Sequence, residues 1–253
     1  MFRRLLIALL LVSGLASAAT ITLANSMYSN LWEDIWMREH GTTNVQQLAG
    51  VISLTLNNNG TQTTLYALCV QLFVTISEGG TYNTTIYTPA NTPGEPTAQL
   101  ERVAWLVENA LLPVVYSSIT STQIPQADWA NTAAAAAGLQ LAIWDIMEDN
   151  ADGLGAGNVQ RSTGTATPAD VQNWVTTYEN LSAGQASTLG YVLVSTNQRT
   201  GVGVQTLIAV QVPPPGIPEP STSALGGIGL VAGIGLAVWR TRHPQAGAAR
   251  RIH

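Results

Sequence analysis

The chain has 253 residues and a net charge of −5, with one cysteine, ten arginines and no lysine. All fifteen carboxylates lie between Ala19 and Thr222, where only Arg38, Arg102, Arg161 and Arg199 oppose them, so there is no basic patch and nucleic acid is excluded as a partner. A lone cysteine, Cys69, excludes an internal disulfide framework; the thiol must be inert, paired between molecules, or chemically committed.

In chain order, residues 1–18, MFRRLLIALLLVSGLASA, read as a signal peptide. Arg3 and Arg4 make the basic start, Leu5 to Val12 the apolar run, and Ala16-Ser17-Ala18 the cleavage site. The run is far shorter than the ~20 residues of a membrane span. Residues 19–212 follow as one domain. GVISLTLNN at 50–58 alternates like a half-buried strand, and NNNG at 57–60 is turn chemistry. TTLYALCVQLFVTIS at 63–77 predicts a second strand, containing Cys69 and ended by SEGGTYN.

The period then changes. Leu100, Val103, Ala104, Val107 and Leu111 make a helical stripe over 97–112, which Pro113 is expected to stop. Asp128 is placed to cap a second helix to Met147, and Thr167-Pro168-Ala169-Asp170 to start a third, to about Leu181. Residues 189–196 and 202–212 return to strand. The order predicts an α+β fold, a β-sandwich or barrel-like core with a mainly helical insert. Between the second and third helices, Glu148-Asp-Asn-Ala-Asp-Gly153 gathers oxygens near a glycine. Such a cluster can bind Ca²⁺, but reading Gly153 as the turn glycine of an EF-hand loop puts Val159 where the bidentate Glu belongs; a solvated acidic loop is the first reading and calcium the lesser one, and no metal or cofactor is assigned.

PPPGIPEPSTS from 213 is a stiff linker, with 213–222 assigned to it. Residues 223–242 hold an apolar run closed by Arg240 and Arg242, read as a single transmembrane helix with a basic stop. Residues 243–253 then form a cytoplasmic tail.

The chemistry turns on two residues. Gln140 sits in GLQLAIWDI, an otherwise apolar helical stretch, with Ile143 and Trp144 on its face. A buried amide left without partners costs about 1–3 kcal/mol. A bond to nearby backbone is the plain structural reading of such a glutamine. Cys69 alone reads as a small buried hydrophobe. A Cys–His hydrolase through His40 lacks a third group or local signature. Together, however, a thiol held against a glutamine can attack its carbonyl carbon and expel ammonia. The resulting thioester is open to an incoming amine.

At these residues the chain resembles the thioester domains of bacterial surface proteins. Those domains carry a Cys at the end of a strand and an apolar-Gln-x-x-apolar-Trp motif downstream. Here the motifs are Leu65-Tyr-Ala-Leu-Cys69-Val-Gln-Leu-Phe73 and Leu139-Gln140-Leu-Ala-Ile143-Trp144, with Val103-Ala104-Trp105-Leu106 resembling the helix between them. Leu139 stands where many members have Thr, and Gln71 where an acidic residue is common. The resemblance implies a Cys69–Gln140 crosslink in a pocket with Ile143 and Trp144, not an enzyme active site. Its partner would be a surface or matrix polymer or protein bearing amines or hydroxyls.

The tail is similar to a PEP-CTERM sorting signal, through Ile217-Pro218-Glu219-Pro220-Ser221-Thr222, the apolar run and the arginines. That implies recognition of Pro218, Glu219 and Pro220 by an exosortase-type enzyme, export across the inner membrane of a Gram-negative bacterium, and a place at the cell surface or in the biofilm matrix. A structural matrix protein of the same fold, without the bond, is the alternative. The absence of lysine would keep copies from crosslinking to one another, though an arginine-biased genome explains it as well.

Overall fold

Six strands close into a ring. The computed structural model describes residues 18–210 except 41–42, 59, 73, 75, 78, 117–122, 163–166, 198–199 and 201. The strands are β1 (Ala18–Glu39), β2 (Thr43–Asn58), β3 (Thr61–Cys69), β4 (Thr81–Tyr87), β5 (Val159–Arg161), β6 (Tyr191–Asn197) and β7 (Leu207–Val210). Their order is β2-β3-β7-β6-β4-β1-β5, all pairs are antiparallel, and β1 also pairs with β2. That last pairing joins the ends of β2-β3-β7-β6-β4-β1, leaving β5 beside the far end of β1. Closure removes the sheet edges that would otherwise have to be covered.

Alternation fills the ring. Ile21, Leu54, Leu56, Leu65, Ala67, Leu193 and Leu207 form one buried cluster inside it. Among them Thr84 and Ser195, opposite each other on β4 and β6, share a hydrogen bond of 2.8 Å between their hydroxyls. Strand β1 changes register against β2 between Leu23 and Met27 and again between Met27 and Trp32. Beyond those irregularities, Trp32–Glu39 and Thr43–Gly50 run on as a two-stranded ribbon. Gly50 permits this: at φ +148°, a Cβ there would lie 2.3 Å from the Leu31 carbonyl oxygen.

The helices lie between β4 and β6 in sequence: α1 (Thr97–Leu106), α2 (Leu112–Val115), α3 (Ala133–Asp149) and α4 (Ala169–Ser182). They pack on the ribbon around a larger cluster that includes Ile35, Met37, Leu68, Val70, Leu100, Leu106, Leu139, Ile143 and Tyr178. The result is a β-rich, barrel-like core with helices on one side, in line with the expected α+β class. Helices α3 and α4 touch closely at Gly138, where a Cβ would come 2.3 Å from the Trp174 Cβ.

Three local expectations need correction. Pro113 does not stop the first helix. A π-turn, Val107–Leu111, intervenes, with the Leu112 N–H donating to the Val107 carbonyl, and the helical path continues as α2 to Val115. The wider turn accommodates a residue that has no N–H to give and a ring that crowds an α-helical carbonyl. Asp128 lies in a separate 3₁₀ turn, Gln126–Asp128; α3 is capped by Thr132, whose hydroxyl accepts the Ala135 N–H at 3.1 Å. The strand expected over 63–77 ends at Cys69, and SEGGTYN runs into β4.

Candidate functional site

The geometry at Cys69 follows from strand register. Strands β2 and β3 pair from Asn58↔Thr61 to Ile52↔Ala67. Two residues further the same register would put Gly50 opposite Cys69, but Gly50 has turned away to pair with Trp32. On the other flank, the Val70 N–H donates to the Thr206 carbonyl at 2.9 Å. Because successive residues of a strand bond to opposite sides, the N–H and C=O of Cys69 point to the place β2 has left.

Gln140 fills that place. The Cys69 N–H donates to Gln140 Oε1 at 2.9 Å, and Gln140 Nε2 donates to the Cys69 carbonyl at 2.8 Å. The side-chain amide thus acts as a strand partner of one residue. An amide whose oxygen and nitrogen meet the N–H and C=O of the same residue carries its carbon across from that residue's Cα, two bonds from the sulfur. Gln140 is 1% exposed, with Ile143 and Trp144 also buried on α3. The Trp144 Nε1 has no hydrogen-bond partner among the described residues.

Cys69 packs against both the cluster inside the ring and the one beneath the helices. The residue as a whole is half-buried, but its thiol is desolvated, and burial pushes its pKa up to about 12. The sulfur is therefore a protonated thiol at neutral pH, in an apolar surround that excludes water.

The chain leaving Cys69 is held by polar side chains. Gln71 Oε1 accepts the Thr206 N–H at 3.1 Å, and Gln71 Nε2 donates to Glu95 Oε1 at 2.8 Å. Gln205 Nε2 donates to the Gln71 carbonyl, and Glu148 accepts the Leu72 N–H. Burial raises the pKa of both Glu95 and Glu148. Sequence reasoning missed Glu95 and Gln205, since nothing in their local patterns marks them.

The structure brings Cys69 and Gln140 together and places Ile143 and Trp144, both buried, on the helix that carries Gln140. It places His40 elsewhere, on the exposed turn after β1, where its Nδ1 lies 3.2 Å from Asn158 Oδ1. Pro218, Glu219, Pro220 and the 223–242 span lie outside the described residues, as does the signal peptide up to residue 17. Among the described residues no helix is long and apolar enough to cross a membrane. No protein-family model, curated protein or solved structure matches the chain.

Proposed function

We propose that this is an exported cell-surface or matrix protein, not an enzyme, that attaches covalently to an amine- or hydroxyl-bearing partner through a Cys69–Gln140 thioester. The observation that carries this reading is the doubly hydrogen-bonded Gln140 amide on the Cys69 backbone. The Cys69 N–H polarises the Gln140 carbonyl and is placed to stabilise negative charge as it develops on Oε1. Attack forms the Sγ–Cδ bond and breaks the Cδ–Nε2 bond. The thiol proton goes to the departing nitrogen, which leaves as ammonia. An incoming amine then takes the acyl carbon, forms an amide and returns the proton to sulfur.

Intact mass of the full-length chain tests this. Wild-type protein should be one ammonia lighter than its processed sequence, and methylamine should add at Gln140 and release one thiol. Cys69→Ala and Gln140→Ala should each carry their full sequence mass and ignore methylamine. Full mass in fresh wild-type protein, with a titratable Cys69 thiol, would support the non-covalent matrix module instead. One observation favours that second reading: both polar groups of the Gln140 amide already have partners, so packing alone accounts for them.

The tail supplies the address. The proposal places Pro218, Glu219 and Pro220 before an exosortase-type enzyme, with 223–242 holding the chain in the membrane until processing. Deletion of 218–253 should spare folding and move the protein from the envelope fraction to the medium. An unchanged distribution counts against this address.

A further inference from the structure

The far end of α3 carries a second constellation. Asp145, Asp149 and Asp152 bring carboxylate oxygens into a group whose members all lie within 4.8 Å of one another. Two oxygens on opposite sides of a Ca²⁺ ion, each at about 2.4 Å, are about 4.8 Å apart, so the three fit around one ion of that size. Asn150 and Ala151 adopt left-handed conformations, φ 60° and 64°, and turn the chain so that Asp152 returns toward the helix.

Proximity of acids does not make a site, but the state of Asp145 points to a ligand. Asp145 is fully buried. Its Oδ2 accepts the Gly153 N–H at 3.0 Å, while its Oδ1, also buried, meets no hydrogen-bond donor among the described residues. Glu179 of α4 faces Asp145, its buried Oε1 likewise meets no N–H donor among the described residues, and the two carboxyl groups lie close enough to share a proton. Two buried carboxyl groups that face each other are strongly disfavoured as a charged pair unless a proton or a cation compensates them. The nearby guanidinium of Arg102 offsets part of that charge but bonds to other atoms: Nε donates to Ser182 Oγ at 2.9 Å and Nη2 to the Glu179 carbonyl at 2.7 Å. Asp149 uses Oδ2 on the Asn158 and Val159 N–H groups, at 2.7 and 2.8 Å, leaving its other oxygen available.

We propose that Asp145, Asp149 and Asp152 bind one Ca²⁺ ion. Carboxylates around an irregular loop suit calcium, which takes many protein oxygens in flexible geometry; magnesium keeps its waters and demands an octahedron. The ion ties the end of the helix that carries Gln140 to the loop leading into β5.

Calcium titration of the chelator-stripped full-length chain, by calorimetry and thermal unfolding, tests the proposal. One Ca²⁺ should bind per chain and raise Tm, with a smaller rise from Mg²⁺ at equal concentration. Asp152 is exposed and its charge raises the pKa of Asp145 and Glu179, so Asp152→Asn should leave the stripped chain folded, with Tm unchanged or slightly higher, and weaken binding about tenfold. Asp145→Asn should abolish binding. No uptake by wild type at millimolar Ca²⁺ overturns the proposal and leaves a proton shared between Asp145 and Glu179 as the account of the pair. Wild-type affinity in both variants overturns it as well.

Discussion

Gln140→Ala should cost about 3–5 kcal/mol of stability, measured by urea unfolding against the wild-type chain opened with excess ammonia, which restores the Gln140 amide, while Cys69→Ala should cost about 1 kcal/mol. The difference comes from what each side chain holds. Truncating Gln140 strands the Cys69 N–H and C=O, which β2 cannot reach because it has turned away to β1. Each stranded group costs about 1–3 kcal/mol, and the lost side-chain volume adds to that. Truncating Cys69 removes only sulfur packing and keeps both backbone bonds. Against the unopened chain, both variants should lose a further ~4 kcal/mol, because a bond across 71 residues restricts the unfolded chain as a disulfide does. Equal small losses in every comparison would mean that Gln140 neither completes the strand nor forms the bond.

What could be read from the sequence depended on whether the signal was local. Helix α3 was legible because from Ala133 to Ile143 only Gln140 is polar, and α4 because Pro168 and Asp170 mark its start. Strand β1 escaped notice: its two register shifts break the alternation that marks a strand. Strand β4, TYNTTIY, looked like a loop because Thr84 faces the interior, and Thr84 is satisfied there by Ser195, 111 residues away. Pro113 was read by its usual rule, which holds for α-helical hydrogen bonding and lapses at a π-turn. Asp128 lost to Thr132 because only the latter has its hydroxyl on the first turn. Cys69 and Gln140 were legible as motifs. The reason their geometry works was not, since it depends on β2 leaving β3 after Ile52. The acidic cluster was largely visible: Asp149 and Asp152 fall in the flagged 148–153 loop, and Asp145 lies just before it.

Once methylamine has opened the bond, Cys69 should react with iodoacetamide roughly a thousandfold more slowly at pH 8 than an exposed thiol does. N-methylated Gln140 keeps its C=O for the Cys69 N–H, while the methyl takes the place of the hydrogen that faced the Cys69 carbonyl, so one of the two bonds re-forms and the pocket can close again. The thiolate is the reactive form, and burial moves the thiol pKa from 9.0 to about 12. The alkylation rate should therefore climb about tenfold per pH unit from pH 8 until it levels near pH 12. The same shift sets a sign for stability. Burial favours the neutral thiol, so the folded pKa lies above the unfolded value of about 8.5. The contribution of Cys69 is fully present below that value and is lost as pH rises toward 12. Opened wild-type protein should lose stability across this window relative to Cys69→Ala, whose own decline reports every other titrating group. Alkylation at the rate of an exposed thiol at pH 8, or parallel stability curves for the two proteins, would show that water reaches the sulfur. The apolar surround would then fail as a barrier, and a thioester formed there would hydrolyse before it met a partner.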